Sequence, residues 1–259
     1  MPDLQKIGHN KKEEAASVKV QNVHKSYGKL HVLKGVSLEI TAGEIFAIMG
    51  PSGSGKSVLL RQISGLETPD SGKVEVNGHI PHLNFSQDSK IGMVFQSGAL
   101  LSSLTVEENV GLFLSEHRIY PKNKIKSKVT EKLKAVGLEG IESKYPNELS
   151  GGMKKRVAIA RTLVVEPQLI LYDEPTSELD PISAVTVAKE IKGLKNEGSI
   201  TSIMVTHDRD LVQGIADRVA VIRDGTIIAI GTPDEIWNSN NKEVGDFIHI
   251  DFNVQSLTS

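Results

Sequence analysis

Apolar residues from Val18 onward follow two alternating patterns: short β-branched runs, and longer stretches with helical spacing. The first predicted strands are Val18 to Val23, Val36 to Ile40 and Glu44 to Met49, and the last of these runs into a glycine-rich turn. A helix from Lys56 to about Gly65 should follow that turn. Strands that alternate with helices are typical of a mainly parallel sheet covered by helices, so the pattern predicts an α/β fold.

The chain changes character after Gln96, where helical signals replace strand signals. Before this point, LETPDSGKVEVNG and then IGMVF at 91–95 still predict two short strands. Beyond it, Thr105 and Glu108 form a capping-box pattern that opens a helix. Gly137 closes a second predicted helix, from Lys122 to Val136. We therefore expect a mostly helical insertion in the α/β fold.

Strand and helix alternation resumes in the last third of the chain. The predicted elements are a strand at Gln168 to Tyr172, a helix from Asp180 and Pro181 to about Asn196, strands at Ser199 to Val205 and Arg218 to Arg223, a hairpin through Asp224 and Gly225 into a strand at Thr226 to Ile230, and a terminal helix capped by Thr232. In the tail, FIHIDFNV at 247–254 has two interpretations: an alternating segment that forms a strand or docks on a neighbour, or a poorly ordered end.

Composition narrows the function classes. The 259 residues suffice for one large α/β domain, and charged residues make up 24% with a formal net charge of -2. This balance gives no global basic field, so nucleic acid is not an expected partner. The chain has no cysteine, which excludes disulfides, thiolate nucleophiles and cysteine zinc sites and fits a reducing compartment.

Nothing in the sequence predicts membrane insertion. The first residues, MPDLQKIGHNKKEEAAS, are polar and lack the apolar segment of a signal peptide, so we expect a mobile lead-in. A membrane-spanning helix needs about 20 mostly apolar residues, whereas apolar stretches such as Ile45 to Met49 have the length of strands. If the protein works at a membrane, we expect it to do so from outside the bilayer.

Residues 50–57, GPSGSGKS, match the phosphate-loop pattern G-x-x-x-x-G-K-[ST] between a buried strand and a helix. The candidate ATP-binding residues are Gly50, Pro51, Ser52, Gly53, Ser54, Gly55, Lys56, Ser57 and Val58. Glycines let backbone N–H groups curl around phosphate oxygens, and the helix directs its positive end at the same anion. Lys56 would span the β- and γ-phosphates, and the Ser57 hydroxyl would bind Mg²⁺. The alternative is a glycine turn that merely joins strand to helix.

A second candidate site follows the apolar run LILYD at 169–173, which ends in Asp173 and is followed by Glu174. A strand this apolar should be buried on both faces, and we expect it beside the phosphate-loop strand. Asp173 can then hold Mg²⁺ through water, and Glu174 can orient and deprotonate an attacking water. Either carboxylate alone would also fit a simple strand-end turn.

With these motifs and LSGGM at 149–153, followed by KKRVAIAR, the chain resembles the ATP-binding-cassette (ABC) ATPases from Val18 to about Asn240. The LSGGM segment resembles that family's signature motif. Ser150 can cap a helix to about Val165, and Gly151 and Gly152 expose N–H groups at its positive end. In the family this site binds the γ-phosphate of ATP held by the partner protomer. A plain helix cap is the alternative.

The resemblance implies a P-loop NTPase fold: a mainly parallel core sheet, an antiparallel β subdomain and an inserted helical subdomain. The corresponding boundaries are 1–17 for a flexible lead, 18–95 and 167–240 for the nucleotide-binding core, 96–166 for the helical signature subdomain, and 241–259 for a C-terminal tail. It also implies ATP hydrolysis with Mg²⁺, coupled to closing and opening of a homodimer.

Further site residues are implied by the same resemblance. Tyr27 matches the aromatic residue that stacks on adenine, Gln96 the glutamine that reaches Mg²⁺ and the water, Asp180 the loop that crosses the dimer interface, and His207 the histidine that contacts the γ-phosphate. A tyrosine or histidine at a strand end is also often structural. Three positions depart from the family pattern: Met153 replaces the usual glutamine, Val58 the common threonine, and Glu178 the usual glycine or alanine.

Three functions use this cassette: a transporter motor, a soluble ABC protein of translation or DNA repair, and an ATPase that regulates another assembly. The single cassette without coiled-coil heptads or a basic stripe favours the transporter motor. FQSGALLSSLTVEENV, GKSVLLRQI and LSGGMKKRVAIAR together resemble the ATPase of Mce- and Mla-type phospholipid transporters. Importers of polar amino acids or other small solutes share every catalytic motif and are the nearest rivals.

The Mce/Mla resemblance implies particular partners and a location. The partners are an integral-membrane permease, a periplasmic lipid-binding subunit and in some systems a STAS-domain subunit, with the ATPase peripheral on the cytoplasmic face of the bacterial inner membrane. In ABC transporters the segment after Gln96 receives a coupling helix from the permease. Leu100, Leu101 and Leu104 therefore either line that groove or fill the core of the helical lobe.

Overall fold

The computed structural model describes residues 15–81, 90–196 and 200–248, which fold around two β-sheets. The smaller sheet is antiparallel, with strand order β2-β1-β4. Its strands are β1 (Val18–Tyr27), β2 (Leu30–Ile40) and β4 (Ser71–Val76). Along β1 and β2 buried residues alternate with exposed ones, so one face of this sheet packs on the core and the other meets solvent.

The larger sheet has six strands in the order β5-β6-β7-β3-β8-β9. These are β3 (Ile45–Met49), β5 (Ile91–Val94), β6 (Leu169–Asp173), β7 (Thr201–Thr206), β8 (Arg218–Arg223) and β9 (Thr226–Gly231). All neighbouring pairs are parallel except β8 and β9, which form the predicted antiparallel hairpin. At its turn, Asp224 and Gly225 both have positive φ, as this hairpin type requires. The predicted α/β fold with an antiparallel subdomain is confirmed.

The order of the large sheet corrects one prediction from the sequence. Strand β6, which ends at Asp173, pairs with β5 and β7, so it is not the neighbour of the phosphate-loop strand β3. Strand β7 lies between β6 and β3, and all of its residues are buried. The apolarity of a strand shows that it is buried in a parallel sheet. It does not show whether β6 or β7 is the strand that pairs with β3.

Eight α-helices are present in the described residues. They are α1 (Lys56–Ser64), α2 (Val106–Glu116), α3 (Lys122–Ala135), α4 (Gly151–Leu163), α5 (Pro181–Asn196), α6 (Arg209–Ile215), α7 (Pro233–Trp237) and α8 (Lys242–Ile248), and a 3₁₀ turn covers Pro146–Glu148. Thr105 and Thr232 cap α2 and α7 through reciprocal bonds with Glu108 and Glu235, as their capping-box sequences predict. Helices α6 and α8 have no counterpart among the predicted elements.

Residues at both borders of the described ranges differ from expectation. Ala16, within the predicted lead-in, is buried, and its carbonyl accepts a hydrogen bond from the Thr201 hydroxyl at 2.6 Å. Phe247 and Ile248, in the tail segment interpreted as a strand or a poorly ordered end, belong to helix α8 instead. Ile248 is buried in the larger core cluster, and this burial stabilises a helix in a sequence that alternates locally. Residues 249–254 of that segment lie outside the described residues.

Helices α2, α3 and α4 pack together over one edge of the large sheet. Their buried apolar residues join the same core cluster as Val94 and Tyr172 of strands β5 and β6. Asn109 of α2 is fully buried, and its side chain bonds the N–H and C=O of Leu101 and the carbonyls of Leu104 and Thr105 at 2.8 to 3.0 Å. This one amide therefore fixes the loop that joins β5 to α2.

Leu100, Leu101 and Leu104 lie in this loop, and they differ in burial. The sequence left open whether they fill the core of the helical lobe or line a groove for the permease. Leu100 is half-buried and packs against the core cluster, as the core interpretation predicts. Leu101 is 47% exposed, and the exposed aromatic rings of Phe95 and Phe113 lie before and after it in sequence. Leu104 is intermediate in burial.

In the described ranges, no helix is long and apolar enough to cross a bilayer.

Two glycines test how closely this fold is packed. A Cβ at Gly92 in β5 would lie 2.2 Å from Cγ2 of Thr162, whereas a Cβ at Gly193 in α5 would meet nothing within 4 Å. We expect Gly92→Ala to lower the free energy of unfolding by about 1 to 3 kcal/mol through overpacking. Gly193→Ala should raise it by about 0.5 to 1 kcal/mol because alanine is the better helix former. Urea unfolding of both variants measures the difference, and equal effects would contradict the packing described here.

Candidate functional site

The phosphate loop leaves the end of β3 and enters α1 through two closely packed glycines. A Cβ on Gly50 would lie 2.2 Å from the carbonyl oxygen of Ile222, and a Cβ on Gly55 would lie 2.8 Å from Cδ2 of Leu33. Gly55 also has φ 103°, which a residue with a side chain rarely adopts. The first N–H groups of α1 have no acceptor within the helix, so they are donors for an anion at this point.

Lys56 is the loop side chain expected to contact the nucleotide phosphates. Lys56 Nζ donates to the carbonyl oxygens of Gly50 and Pro51 at 2.8 and 3.0 Å, which holds the ammonium over the loop. Burial lowers the pKa of Lys56, and the carboxylates of Glu174 and Asp173 oppose that shift. A phosphate at the loop would stabilise the charged ammonium in the same way.

The Ser57 hydroxyl lies 3.2 Å from Oδ1 of Asp173, so two of the three predicted Mg²⁺ ligands meet at one point. Burial raises the pKa of Asp173, and the Ser57 hydrogen bond partly offsets this effect. The described residues contain no group of three or more His, Cys, Asp or Glu side chains placed to hold a metal. A hydroxyl and one carboxylate fit Mg²⁺ that takes its other ligands from water and nucleotide phosphates.

Glu174 and His207 come together at the ends of β6 and β7. The Nδ1 atom of His207 lies 3.0 Å from the Glu174 carboxylate, and the His207 side chain is 71% exposed. Glu174 has φ 48°, and its N–H donates to the Val205 carbonyl at 2.9 Å. A positive φ in a residue with a side chain is strained and persists only where surrounding contacts hold it.

A second contact locks the His207 loop to the Glu174 loop. Thr176 donates its hydroxyl hydrogen to Asp208 Oδ2 at 2.8 Å, and the other oxygen of Asp208 caps α6 by accepting from Leu211 N at 3.0 Å. The position of His207 is therefore fixed from both sides. The sequence pattern VTHD indicated only that a histidine follows a buried strand.

The signature residues lie at the start of α4 against the start of α5. Ser150 caps α4 by accepting from Met153 N at 3.3 Å. A Cβ on Gly152 would lie 2.8 Å from the Ser183 hydroxyl, which in turn donates to Asp180 at 2.6 Å. The signature glycine and the predicted interface residue Asp180 are thus linked through one serine. Hydrogen bonds from the Ser183 side chain and backbone lower the pKa of Asp180.

Gln96 lies just past the end of β5, beside the strand that carries Asp173. Its carbonyl accepts a hydrogen bond from Lys155 of α4, and Lys155 also donates to the Glu174 carbonyl at 3.0 Å. Arg161, further along α4, donates to the carbonyls of Gly98 and Ala99 at 2.8 and 2.7 Å. Helix α4 therefore holds the loop after Gln96 with two cations.

Tyr27 lies at the end of β1, 44% exposed, with its hydroxyl bonded to the Glu67 carboxylate. This bond is the main cause that raises the pKa of the Tyr27 phenol. Glu67 also accepts from Arg61 of α1 at 2.8 Å. Tyr27, which is predicted to stack on adenine, is thereby connected through Glu67 to α1, the helix that follows the phosphate loop.

The three departures from the family pattern have different consequences. Met153 is half-buried and packs against the large core cluster, and Val58 packs against the smaller one, so both act as core residues. Glu178 has φ 64°, a conformation in which glycine is unstrained. Its charge opposes the lowering of the Lys155 pKa that burial causes.

Several residues of this region were missed by the sequence analysis. Lys155, Arg161, Ser183, Glu67 and Asp208 were not predicted. Most of their partners are distant in sequence, and several of the acceptors are backbone carbonyls that every residue carries. For Lys155 the position itself was a weak signal, because a lysine on the inner face of a helix demands a partner.

The chain is similar to known ABC proteins over most of its length. The family model described as ABC transporter matches residues 33–177. Protein TRIGALACTOSYLDIACYLGLYCEROL 3, chloroplastic, of Arabidopsis thaliana is 42% identical over 250 residues, which are 89% of this chain and 72% of that protein. Sulfate/thiosulfate import ATP-binding protein CysA of Synechococcus elongatus is 40% identical over 228 residues, 88% of this chain and 66% of that protein. The chain therefore spans slightly less than two thirds of that relative.

Solved structures agree with these matches. The cbiO1 protein of Clostridium perfringens, described as part of the ABC transporter complex cbiONQ, superposes with a TM-score of 0.76 at 35% identity, covering 85% of this chain and 90% of that one. A dimeric ATP-binding cassette in a post-hydrolysis state with ADP and Pi superposes with a TM-score of 0.74 at 36% identity, covering 83% and 98%.

The burial of Asp173 leads to a prediction about stability. Because its pKa is raised in the folded chain, stability is lost as the pH rises from the ordinary aspartate range through the raised pKa. At pH 7 the ionised carboxylate therefore costs stability. We expect Asp173→Asn to raise the Tm of the nucleotide-free chain, and to abolish the further rise in Tm that Mg²⁺ adds to ATP. Thermal unfolding at pH 7 measures both, with the exposed turn variant Asp224→Asn as control; a lower Tm for Asp173→Asn would contradict the prediction.

Proposed function

Because the chain belongs to the ABC transporter family and is therefore an ATPase, we propose that its ATP hydrolysis powers lipid transport between bacterial membranes through a separate integral-membrane permease. The observation that carries the catalytic part is the meeting of four side chains at one sheet edge. Ser57 of the phosphate loop bonds Asp173, and the neighbouring Glu174 contacts His207. The ends of parallel strands gather these groups from distant parts of the sequence.

The nucleotide phosphates bind the N–H groups at the start of α1 and the ammonium of Lys56. Ser57, Asp173 and Gln96 would hold Mg²⁺, which neutralises developing phosphate charge when it is bound. Tyr27 stacks on the adenine, held by Glu67 against α1. Little covalent chemistry is required of the protein, because positioning and charge supply most of the rate of phosphoryl transfer.

Glu174 acts as the general base in this proposal. A water oxygen attacks the γ-phosphorus as the bond to the β-phosphate oxygen breaks, and the water proton passes to the Glu174 carboxylate. His207, 3.0 Å from that carboxylate, orients it and contacts the γ-phosphate. ADP and inorganic phosphate are the products. Gln96 senses the same phosphate from the end of β5.

Dimer closure completes each site. Ser150, Gly151 and Gly152 at the start of α4 bind the γ-phosphate of the nucleotide on the partner protomer, and Asp180 lies in the loop that crosses the interface. In this proposal residues 18–95 and 167–240 form the nucleotide-binding core, and residues 96–166 form the helical subdomain. The link from Gly152 through Ser183 to Asp180 supports a shared surface for these two motifs.

The transported substrate is the finer part of the proposal. Support for a lipid comes from the FQSGALLSSLTVEENV, GKSVLLRQI and LSGGMKKRVAIAR segments and from the Arabidopsis relative, whose name is that of a glycerolipid and of which the chain covers 72%. The second candidate is import of a small solute. Relatives named as sulfate/thiosulfate import proteins match at 40% to 42% identity and favour it.

The proposed assembly is a homodimer of this chain on the cytoplasmic face of the bacterial inner membrane. Its partners are a permease of the Mce/Mla type, a periplasmic lipid-binding subunit and a STAS-domain subunit. Leu101, 47% exposed in the loop that Asn109 fixes, is the best placed of the three leucines to meet the permease. Leu100 instead contributes to the core.

The role of Glu174 is tested by Glu174→Gln. Loss of a general base should slow ATP hydrolysis by roughly 10² to 10⁴-fold while ATP still binds, because the amide keeps the shape of the side chain. Phosphate release under single-turnover conditions and a fluorescent-nucleotide titration measure the two quantities. Glu116→Gln, at the exposed end of α2, is the matched control. Near-normal hydrolysis by Glu174→Gln would show that another group is the base.

The partner and substrate are tested together by pull-down from detergent-solubilised membranes. Wild-type protein should capture an integral permease, and mass spectrometry of the complex should detect bound phospholipid. Leu101→Asp should lose the permease by at least tenfold in yield and keep its Tm, whereas Leu100→Asp should lower the Tm because it buries a charge.

Ile230→Asp, an exposed position on β9, serves as the control for adding a surface charge. If the purified complex with the captured permease takes up sulfate and holds no lipid, the small-solute alternative is correct. Unchanged capture by Leu101→Asp would remove that residue from the partner surface.

A further inference from the structure

Lys155 is a buried lysine that reaches two parts of the active site at once. It lies on the inner face of α4, 5% exposed, one turn after the signature residues. Its Nζ donates to the carbonyl of Gln96 and, at 3.0 Å, to the carbonyl of Glu174. No other side chain in the described ranges bonds the main chain of both residues.

The groups around Lys155 act on its pKa in opposite directions. Burial lowers the pKa of Lys155, whereas Glu178, Asp173 and Glu174 oppose the shift, with Glu178 the strongest of the three. A buried lysine without partners would be strongly destabilising. Two carbonyl acceptors and three nearby carboxylates provide the compensation. These partners belong to the loops after β5 and β6 and to the predicted interface loop.

The contact at Glu174 affects a strained residue. Glu174 has φ 48°, so the orientation of its carboxylate depends on main-chain bonds that hold this conformation. Its N–H is fixed by Val205, and its carbonyl accepts from Lys155, the Ser177 hydroxyl and Ser177 N. Of these donors only Lys155 comes from α4, the helix that begins with Ser150, Gly151 and Gly152.

Arg161 provides an internal comparison. It also joins α4 to the loop after β5, through the carbonyls of Gly98 and Ala99, but its two bonds end in that loop. Of these two residues, Lys155 is the one that also donates a hydrogen bond to the Glu174 carbonyl. A small shift of α4 relative to the sheet therefore changes the loop through both cations, and it acts directly on the Glu174 carbonyl through Lys155.

We propose that Lys155 is a positioning residue that couples the placement of the signature helix α4 to the carboxylate orientation of Glu174. The proposal rests on the proposed role of Glu174 as general base. When α4 is seated, the lysine holds the main chain of Gln96 and Glu174 together, and the carboxylate faces the water. When the lysine contact is lost, nucleotide still binds the phosphate loop, but the base is no longer held for proton abstraction.

Lys155→Met tests this by removing the donors at similar length. Hydrogen bonds from charged groups have effects that correspond to about 10- to 100-fold in rate, so we expect kcat for ATP hydrolysis to fall by that factor. The Kd for a fluorescent ATP analogue should stay within about threefold, because the lysine does not contact the phosphate loop. Lys154→Met, the neighbouring lysine on α4, is the matched control and should retain wild-type kcat and Kd.

A double-mutant cycle separates positioning from a general structural role. In the Glu174→Gln background, Lys155→Met should reduce single-turnover hydrolysis by less than about twofold, because the group on which it acts is gone. A lysine that merely stabilises α4 would lower the rate by the same factor in both backgrounds. Equal factors, or wild-type kcat in Lys155→Met alone, would overturn the proposal.

Two further arms keep the test decisive. If Lys155→Met fails to fold, Lys155→Gln keeps one donor group in a smaller volume, and its kcat should lie between those of wild type and Glu174→Gln; full wild-type kcat would count against the proposal. Lys155→Arg keeps the charge and donors and should recover most of the lost rate. Near-normal hydrolysis by Glu174→Gln removes the base itself and with it both proposals, whereas a slow Glu174→Gln with an additive cycle removes only the role of Lys155.

Discussion

Strand β3 has no exposed residue, and its main chain pairs on both sides, with β7 and with β8. Because each backbone N–H and C=O in such a strand must find a partner, β3 can occupy only a central place in the sheet. Its last residue then delivers the glycine loop to the carboxyl edge of the sheet, where β6 and β7 also end. The meeting of phosphate loop, acidic pair and histidine follows from this single arrangement.

Helix α4 is the second organising element, and it combines apolar packing with polar contacts. Its apolar face is buried in the large core cluster, which fixes the helix axis. Its cations at 155 and 161 then bind backbone carbonyls of the loop after β5. Such bonds tolerate any side chain on the loop but require one main-chain path. Helix α4, which begins with the proposed signature residues, thereby contacts the main chain of the proposed hydrolytic site through its side.

Strained conformations gather around this junction. Ala99, Glu174 and Glu178 all have positive φ: Ala99 lies in the loop after Gln96, Glu174 is the proposed base, and Glu178 lies in the predicted interface loop. Such conformations cost about 1 to 3 kcal/mol each and persist only where surrounding contacts determine them. Two of those contacts are the bonds from Lys155 to the Glu174 carbonyl and from Arg161 to the Ala99 carbonyl. Their cost is consistent with a site whose groups must hold position while a nucleotide is exchanged.

By itself the sequence determined the α/β class, nearly all strands and helices, and the local motifs, because each depends on short-range patterns of apolarity, glycine and capping residues. GPSGSGKS, LSGGM and LYDE carry their chemistry in adjacent residues, and their positions on elements were predictable. The tertiary structure alone decided that β7 separates β6 from β3, that FI at 247–248 is helical, and that Leu100 and Leu101 divide between core and surface. It also decided which polar groups meet: Lys155 with Gln96 and Glu174, and Tyr27 with Glu67. These contacts join residues far apart in the chain, and many end on backbone atoms that all residues share, so no local pattern specifies them.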